Sequence, residues 1–467
     1  MHKCAASLAA LILLVSTASQ ALPHQSPAVA EATQLTATER RVIASSLPDL
    51  DLSALNDTAL LRELAGYAAR ELGLRLRPKA VDLLWGLAPR PRNPEAELAA
   101  ARTNGALAKW IAGLSPRHLQ YGRLQSAAEH YRLAARAPFT PLPPMPTLRE
   151  GSISPLLASV RARLAGEGFP TDSALPQQFD AELTSALIGF QGKVGLAQDG
   201  VLGPQTRAAL NVSPGERLTQ IEANLERLRW LPHDLPADRL EVNVAAAEAT
   251  LVRQGAPALH MRIVVGDLKH KTPMFASKLE SIVFNPPWNV PASIAQNEIL
   301  PRARRDPGYL TRNNYVFVDG RLQQRPGSGN ALGRVKFDFP SPYGVYLHDT
   351  PSRSAFARPT RTLSHGCMRL EKPRELALIL LGAQGWTESG IAAAIGEGRT
   401  RRVALDPPLP LFVIYQTAMV ENGNVRFVPD VYGWDAKLTA ALQGSGKPFA
   451  QTIKTDSDCA EAQSSAG

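Results

Sequence analysis

The sequence predicts a multidomain α+β chain, with an all-α scaffold domain and a three-helix module ahead of a mainly β domain. Three observations predict it. The chain has 467 residues, 44% hydrophobic and 20% charged, an ordinary globular balance over a length that suits two or three domains. Apolar residues recur at three- and four-residue spacing as far as about Arg136 and again from Gly215 to Pro232, whereas from about Asp238 they alternate, so the period changes from helical to extended. Between the helical stretches, "APFTPLPPMPTLREGS" holds five prolines, which excludes helix interior and sheet centre and marks a boundary.

Each element follows in order. The opening "MHKCAASLAALILLVSTASQALPHQ" has Lys3, an apolar run from Ala5 to Val15 and small residues at Ser19 and Ala21. This reads as an export leader over residues 1–21, too short to span a bilayer. No later stretch reaches 18 uninterrupted apolar residues, so the mature protein is expected outside the cytoplasm and not as an integral membrane protein. Residues 31–145 read as the helical scaffold, with "DTALLRELAGYAARELGLRL" and "SPRHLQYGRLQSAAEHYRLAARA" as amphipathic helices. Residues 150–212 hold two helices and then "AQDGVLGPQTRAALN", where Asp199-Gly200 makes a turn and Pro204 opens a third helix. The helix of residues 213–236 carries Leu218, Ile221, Leu225 and Leu228 on one face and is expected to pack back on the scaffold, making the module an insertion. The mainly β domain spans 238–435, and a polar tail expected to be disordered follows over 442–467.

Composition narrows the function classes. The net charge is +9, with 51 basic residues scattered among 42 acidic ones. No basic stripe with interleaved aromatics appears, which argues against nucleic acid and for an anionic wall polymer or membrane surface. There is no CxxC, HExxH or carboxylate-histidine cluster, which argues against a metal.

Chemistry is expected in "SHGCMRL", residues 364–370. Cys4 leaves with the leader and Cys459 lies in the polar tail, so a Cys367 to Cys459 disulfide is the first alternative, but such a tail offers no structural reason for a bridge. A free cysteine is usually a small core hydrophobe. Cys367, however, is flanked by His365, Gly366 and Arg369, an electropositive, glycine-permitted setting that favours a thiolate. A thiol nucleophile needs a base and backbone N–H groups for the oxyanion, and Gly366 and Cys367 can offer the latter. For the base, His365 is local, whereas His348, at the end of the strand "GVYLHDT", needs the fold to close. The alternation places His348 with Tyr346 on one strand face, and both histidines remain candidates at this point.

"FQ…DGVLGPQT" resembles the three-helix peptidoglycan-binding module. "YGVYLHDT" and "SHGCMRL", with "KTPMFASKLESIVFNPPWNVPASIAQNEILPRARRDPGYLTRNNY", resemble the catalytic domain of the L,D-transpeptidases, in particular the large exported Gram-negative form. The resemblance implies Cys367 as nucleophile and His348 as base, with Ser364, His365, Gly366 and Arg369 shaping the loop and oxyanion site. Trp288, Asn330 and Tyr343 are expected at the substrate. It further implies a periplasmic enzyme of wall biosynthesis without metal or organic cofactor, acting on stem peptides with a tetrapeptide donor and a diaminopimelate amine acceptor, with other wall synthases as candidate partners. The implied product is a 3→3 cross-link formed through a thioester with release of D-alanine. An L,D-carboxypeptidase and a non-catalytic wall-binding scaffold are the alternatives. The Gly- and Pro-containing stretch from Asn297 to Pro340 is long for a strand connection and is expected to form a lid over Cys367.

Overall fold

The computed structural model describes residues 34–47 and 55–444. The expected leader, Cys4 and Cys459 lie outside them. The described chain divides into two compact units, one made of residues up to Tyr67 with Glu95–Ile111, the other of Ala68–Pro94 with everything from Ala112.

The first unit is helical. Its opening helix, Ala37–Ser46, is started by a capping box in which the Thr36 hydroxyl accepts from the Glu39 N–H and the Glu39 carboxylate accepts from the Thr36 N–H. Arg102 on the helix Pro94–Thr103 donates to the Glu39 carboxylate at 2.9 Å, while Ile43, Leu60, Leu64 and Leu98 are buried.

In the second unit, the helices Leu157–Gly166, Ala181–Lys193 and Pro204–Leu210 form the three-helix module around a core of their own, which includes Leu157, Val160, Leu187 and Phe190. Gln191 explains the "FQ…DG" spacing. Its amide donates to Asp199 Oδ1 at 2.7 Å and accepts from the Gly200 N–H at 2.9 Å. Gly200 has φ +67°, and a Cβ there would lie 2.7 Å from Thr184 Cγ2, so only glycine fits.

The helices Leu119–Ala134 and Pro214–Arg229 pack together. Their buried faces, with Tyr121, Leu124, Ile221 and Leu228, join the same hydrophobic core as the sheet. Strands β1 (Arg239–Asn243), β2 (Glu248–Arg253), β3 (Ala256–Gly266) and β4 (Phe275–Phe284) open that sheet; β5 (Trp288–Asn289), β6 (Tyr315–Val318) and β7 (Arg321–Gln324) make a separate one. The main sheet continues with β8 (Val335–Asp338), β9 (Leu347–His348), β10 (Thr362–Ser364), β11 (Met368–Leu370) and β12 (Arg401–Ile414). Its order is β10-β3-β11-β9-β8-β4-β12-β1-β2, and β2 also pairs with β3, so the sheet closes on itself and hides most of its edges. The chain is therefore mixed α+β, helical in its amino-terminal part and β-rich in its carboxy-terminal part, as the periodicities predicted.

Candidate active site

Three short strands build the site. β9 pairs in parallel with β11 and antiparallel with β8, and the register sets Lys336 and Arg369 on either side of His348. Cross-strand partners stand on one face of a sheet, so two cations flank the imidazole. The alternate residues Phe337, Leu347 and Met368 are fully buried in the core beneath.

His348 is buried, and its Nδ1 lies 2.5 Å from the Asp349 carbonyl oxygen. A carbonyl can only accept, so Nδ1 carries the hydrogen and Nε2 is the basic nitrogen. Burial, then the charges of Arg369 and Lys336, push the His348 pKa down to about 3. The resting imidazole is neutral and able to take a proton.

Cys367 carries a free, half-buried thiol at the start of β11. Burial pushes its pKa up, opposed by hydrogen bonds from the Tyr346 N–H and phenol and by the charges of Lys336 and Arg369. The resting pair is therefore a neutral thiol and a neutral imidazole, not an ion pair. No hydrogen bond joins the two in this structure; the register places His348 beside Arg369, two residues beyond the nucleophile. Catalytic hydrogen bonds commonly tighten only with substrate bound.

The loop ahead of Cys367 is held from beneath. The buried Ser364 hydroxyl donates to the Cys367 carbonyl at 2.6 Å and accepts from the Gly366 N–H at 3.2 Å. Thr272, fully buried, donates to the Gly366 carbonyl at 2.8 Å and accepts from the Gly266 N–H at 2.9 Å. Gly366 has φ +99°, a conformation that glycine adopts without strain. Because its N–H is bonded to Ser364, the Cys367 N–H, which has no hydrogen-bond partner among the described residues, is the better-placed oxyanion donor.

Residues 285–334, between β4 and β8, hold the β5-β7-β6 sheet and a small core of Val290, Ala295, Ile299 and Leu322; the stretch expected as a lid, Asn297 to Pro340, is not one unit, because Val335–Asp338 within it is strand β8 of the main sheet. The segment 285–334 reaches the site twice. Trp288 hydrogen-bonds the Tyr346 phenol, and Glu298 Oε1 lies 2.8 Å from Nε2 of His365. His365 thus meets this segment and the ring of His270, 4.6 Å away.

Of the residues expected at the substrate, Trp288 lies against Tyr346. Asn330 and Tyr343 are committed to the fold: the Asn330 amide donates to the Gln324 and Arg325 carbonyls, and the Tyr343 hydroxyl donates to the Leu83 carbonyl at 3.2 Å. Sequence reasoning missed Lys336, Thr272 and Glu298, and named Tyr346 only as sharing a face with His348. The alternation of "YLH" could have nominated Tyr346; the others arrive through strand register and long-range contacts, which leave no local signal. Among the described residues no group of three or more His, Cys, Asp or Glu is placed to hold a metal ion, and no helix is long and apolar enough to cross a membrane.

Residues 237–387 match the L,D-transpeptidase catalytic domain, 154–210 a peptidoglycan binding domain and 8–127 a scaffold domain. The chain thus holds a segment that matches an L,D-transpeptidase catalytic domain, preceded by two segments that match helical modules. A Haemophilus influenzae protein described as "Putative L,D-transpeptidase" is 36% identical over 251 residues, 49% of this chain and 51% of that protein; the chain spans about half the length of the curated relative it matches. Among solved structures, the Enterococcus faecium L,D-transpeptidase catalytic domain acylated by ertapenem is 14% identical, covering 39% of this chain and 99% of that one with a TM-score of 0.22. The Xylanimonas cellulosilytica L,D-transpeptidase is 16% identical, covering 58% and 99% with a TM-score of 0.20. Such scores are too low to define a shared overall fold.

Proposed function

We propose that the protein is a cysteine L,D-transpeptidase that forms 3→3 cross-links between peptidoglycan stem peptides in the periplasm. The observation that carries the reading is a free thiol in the field of two cations, Lys336 and Arg369, which strand register sets on either side of a buried histidine inside the matched domain. Cys367 Sγ attacks the carbonyl of the third stem residue while its proton passes to Nε2 of His348. The Cys367 N–H, with Lys336 and Arg369 nearby, stabilises the oxyanion. The terminal D-alanine departs with that proton, leaving a thioester that the side-chain amine of a second stem opens. The arginine and lysine charges also suit a donor whose terminal carboxylate is anionic. The module at 154–210 and the net charge of +9 support attachment to an anionic wall.

The test is incubation of purified protein with tetrapeptide muropeptides and mass spectrometry of the products. Dimers plus free D-alanine are expected, with loss of both in Cys367→Ala. Tripeptide without dimers would make the enzyme a carboxypeptidase, and turnover surviving in Cys367→Ala would remove the nucleophile.

A further inference from the structure

The strand order β10-β3-β11-β9-β8 divides the surroundings of Cys367 into two sides about one or two strand spacings away. On the β9 and β8 side stand His348 and Lys336, with Arg369 on β11 itself. On the other side, His365 follows β10, while Asp267 and His270 follow β3. Here the chemistry is different: two neighbouring imidazoles stand between two carboxylates. His270 Nδ1 lies 3.0 Å from Asp267 Oδ1, the rings of His270 and His365 are 4.6 Å apart, and His365 Nε2 lies 2.8 Å from Glu298 Oε1. The His365 and Glu298 side chains remain 39% and 37% exposed, so the pair is open to solvent and to a ligand. Glu298 lies in the π-helical turn Ala295–Ile299, in the segment that runs from β4 to β8. Its carboxylate reaches the β10 side, at His365. Arg302, in the helix that follows, carries a charge near Glu298 but donates to the Tyr309 hydroxyl at 3.4 Å.

A transpeptidase meets two peptides of opposite demand. The donor brings an anionic end, which the cationic side suits. The acceptor brings an ammonium group, which must be drawn to the thioester and lose a proton before its nitrogen can attack. We propose that Glu298, held at the nucleophile loop by His365, is the acceptor-binding residue: its carboxylate takes the ammonium of the incoming stem peptide on the β10 side of the thioester. This rests on the transpeptidase reading above. The ammonium passes one proton to the Glu298–His365 pair, which loses it to water. The freed amine nitrogen bonds to the thioester carbonyl carbon, the C–S bond breaks, and the departing Cys367 sulfur takes a second proton from that nitrogen. The products are an amide and the free thiol, with one proton released.

The proposal separates the two half-reactions, and so does its test. Full-length Glu298→Gln is compared with the parent protein for thioester formation from a tetrapeptide donor, and for aminolysis of that thioester by a cationic stem-peptide amine and by hydroxylamine, which is uncharged at neutral pH. Acylation and attack by hydroxylamine are expected to be unchanged, while aminolysis by the cationic amine falls by about two- to fivefold at subsaturating acceptor, the scale of a half-exposed charge pair. Water then claims more of the thioester, and Glu298→Asp restores part of the cross-linking. Equal loss with both nucleophiles would mean that Glu298 only shapes the loop around His365 and would overturn the proposal, as would an unchanged ratio of dimer to tripeptide. Failure of the parent protein to form any thioester would instead refute the transpeptidase reading.

Discussion

Thr272→Val tests whether the nucleophile loop depends on one buried hydroxyl. The two side chains are nearly isosteric, so the change deletes hydrogen bonds and little volume. Two partners are orphaned: the Gly266 N–H, which donates to Oγ1 at 2.9 Å, and the Gly366 carbonyl, which accepts from it at 2.8 Å. Both glycines are buried, so water does not replace the lost bonds without a structural change. At about 1–3 kcal/mol for each unsatisfied buried group, the variant should lose about 2–6 kcal/mol. Thr272→Ser keeps the hydroxyl and loses one methyl, which costs about 1 kcal/mol. Urea denaturation of the three proteins measures these differences, and the rate at which iodoacetamide alkylates Cys367 reports whether the Gly366–Cys367 peptide has moved. A Val variant within about 0.5 kcal/mol of the parent, or a Ser variant as damaged as Val, would refute the reasoning.

Two further outcomes are expected. Because burial holds the Cys367 thiol above its ordinary value of 9.0 despite Lys336, Arg369 and Tyr346, alkylation by iodoacetamide in the free enzyme should keep rising through pH 9, and a plateau below neutral pH would reveal a preformed thiolate-imidazolium pair. For Glu71, burial raises the pKa, but Arg229, Tyr121 and Ser115 outweigh it and the net shift is downward from 4.5. A depressed folded value means stabilisation that is present above about pH 4.5 and lost as pH falls below it. Arg229→Met, which strands the Glu71 and Glu226 carboxylates, should then cost about 3–5 kcal/mol at pH 7 by urea denaturation. The deficit should shrink in acid, and a cost independent of pH would show that packing, not charge, is responsible.

The local pattern of the chain was legible throughout. Helical spacing located Leu119–Ala134 and Pro214–Arg229, the DG turn and Pro204 located the third helix of the module, and alternation located the β domain. These features are encoded within a few residues by period and turn chemistry. The order of "YLHDT" and "SHGCMRL" likewise nominated Cys367 and His348, through resemblance more than through spacing. Only the tertiary structure decided what surrounds them. Lys336, His348 and Arg369 become neighbours because β8, β9 and β11 pair in one register, and a shift of one residue would turn each side chain to the opposite face. Thr272 becomes the support of Gly366 across 94 residues of chain, and Glu298 meets His365 because the segment between β4 and β8 brings it to the nucleophile loop. Contacts at such separation depend on how the closed sheet brings distant strands together, and the sequence states that only through the fold it produces.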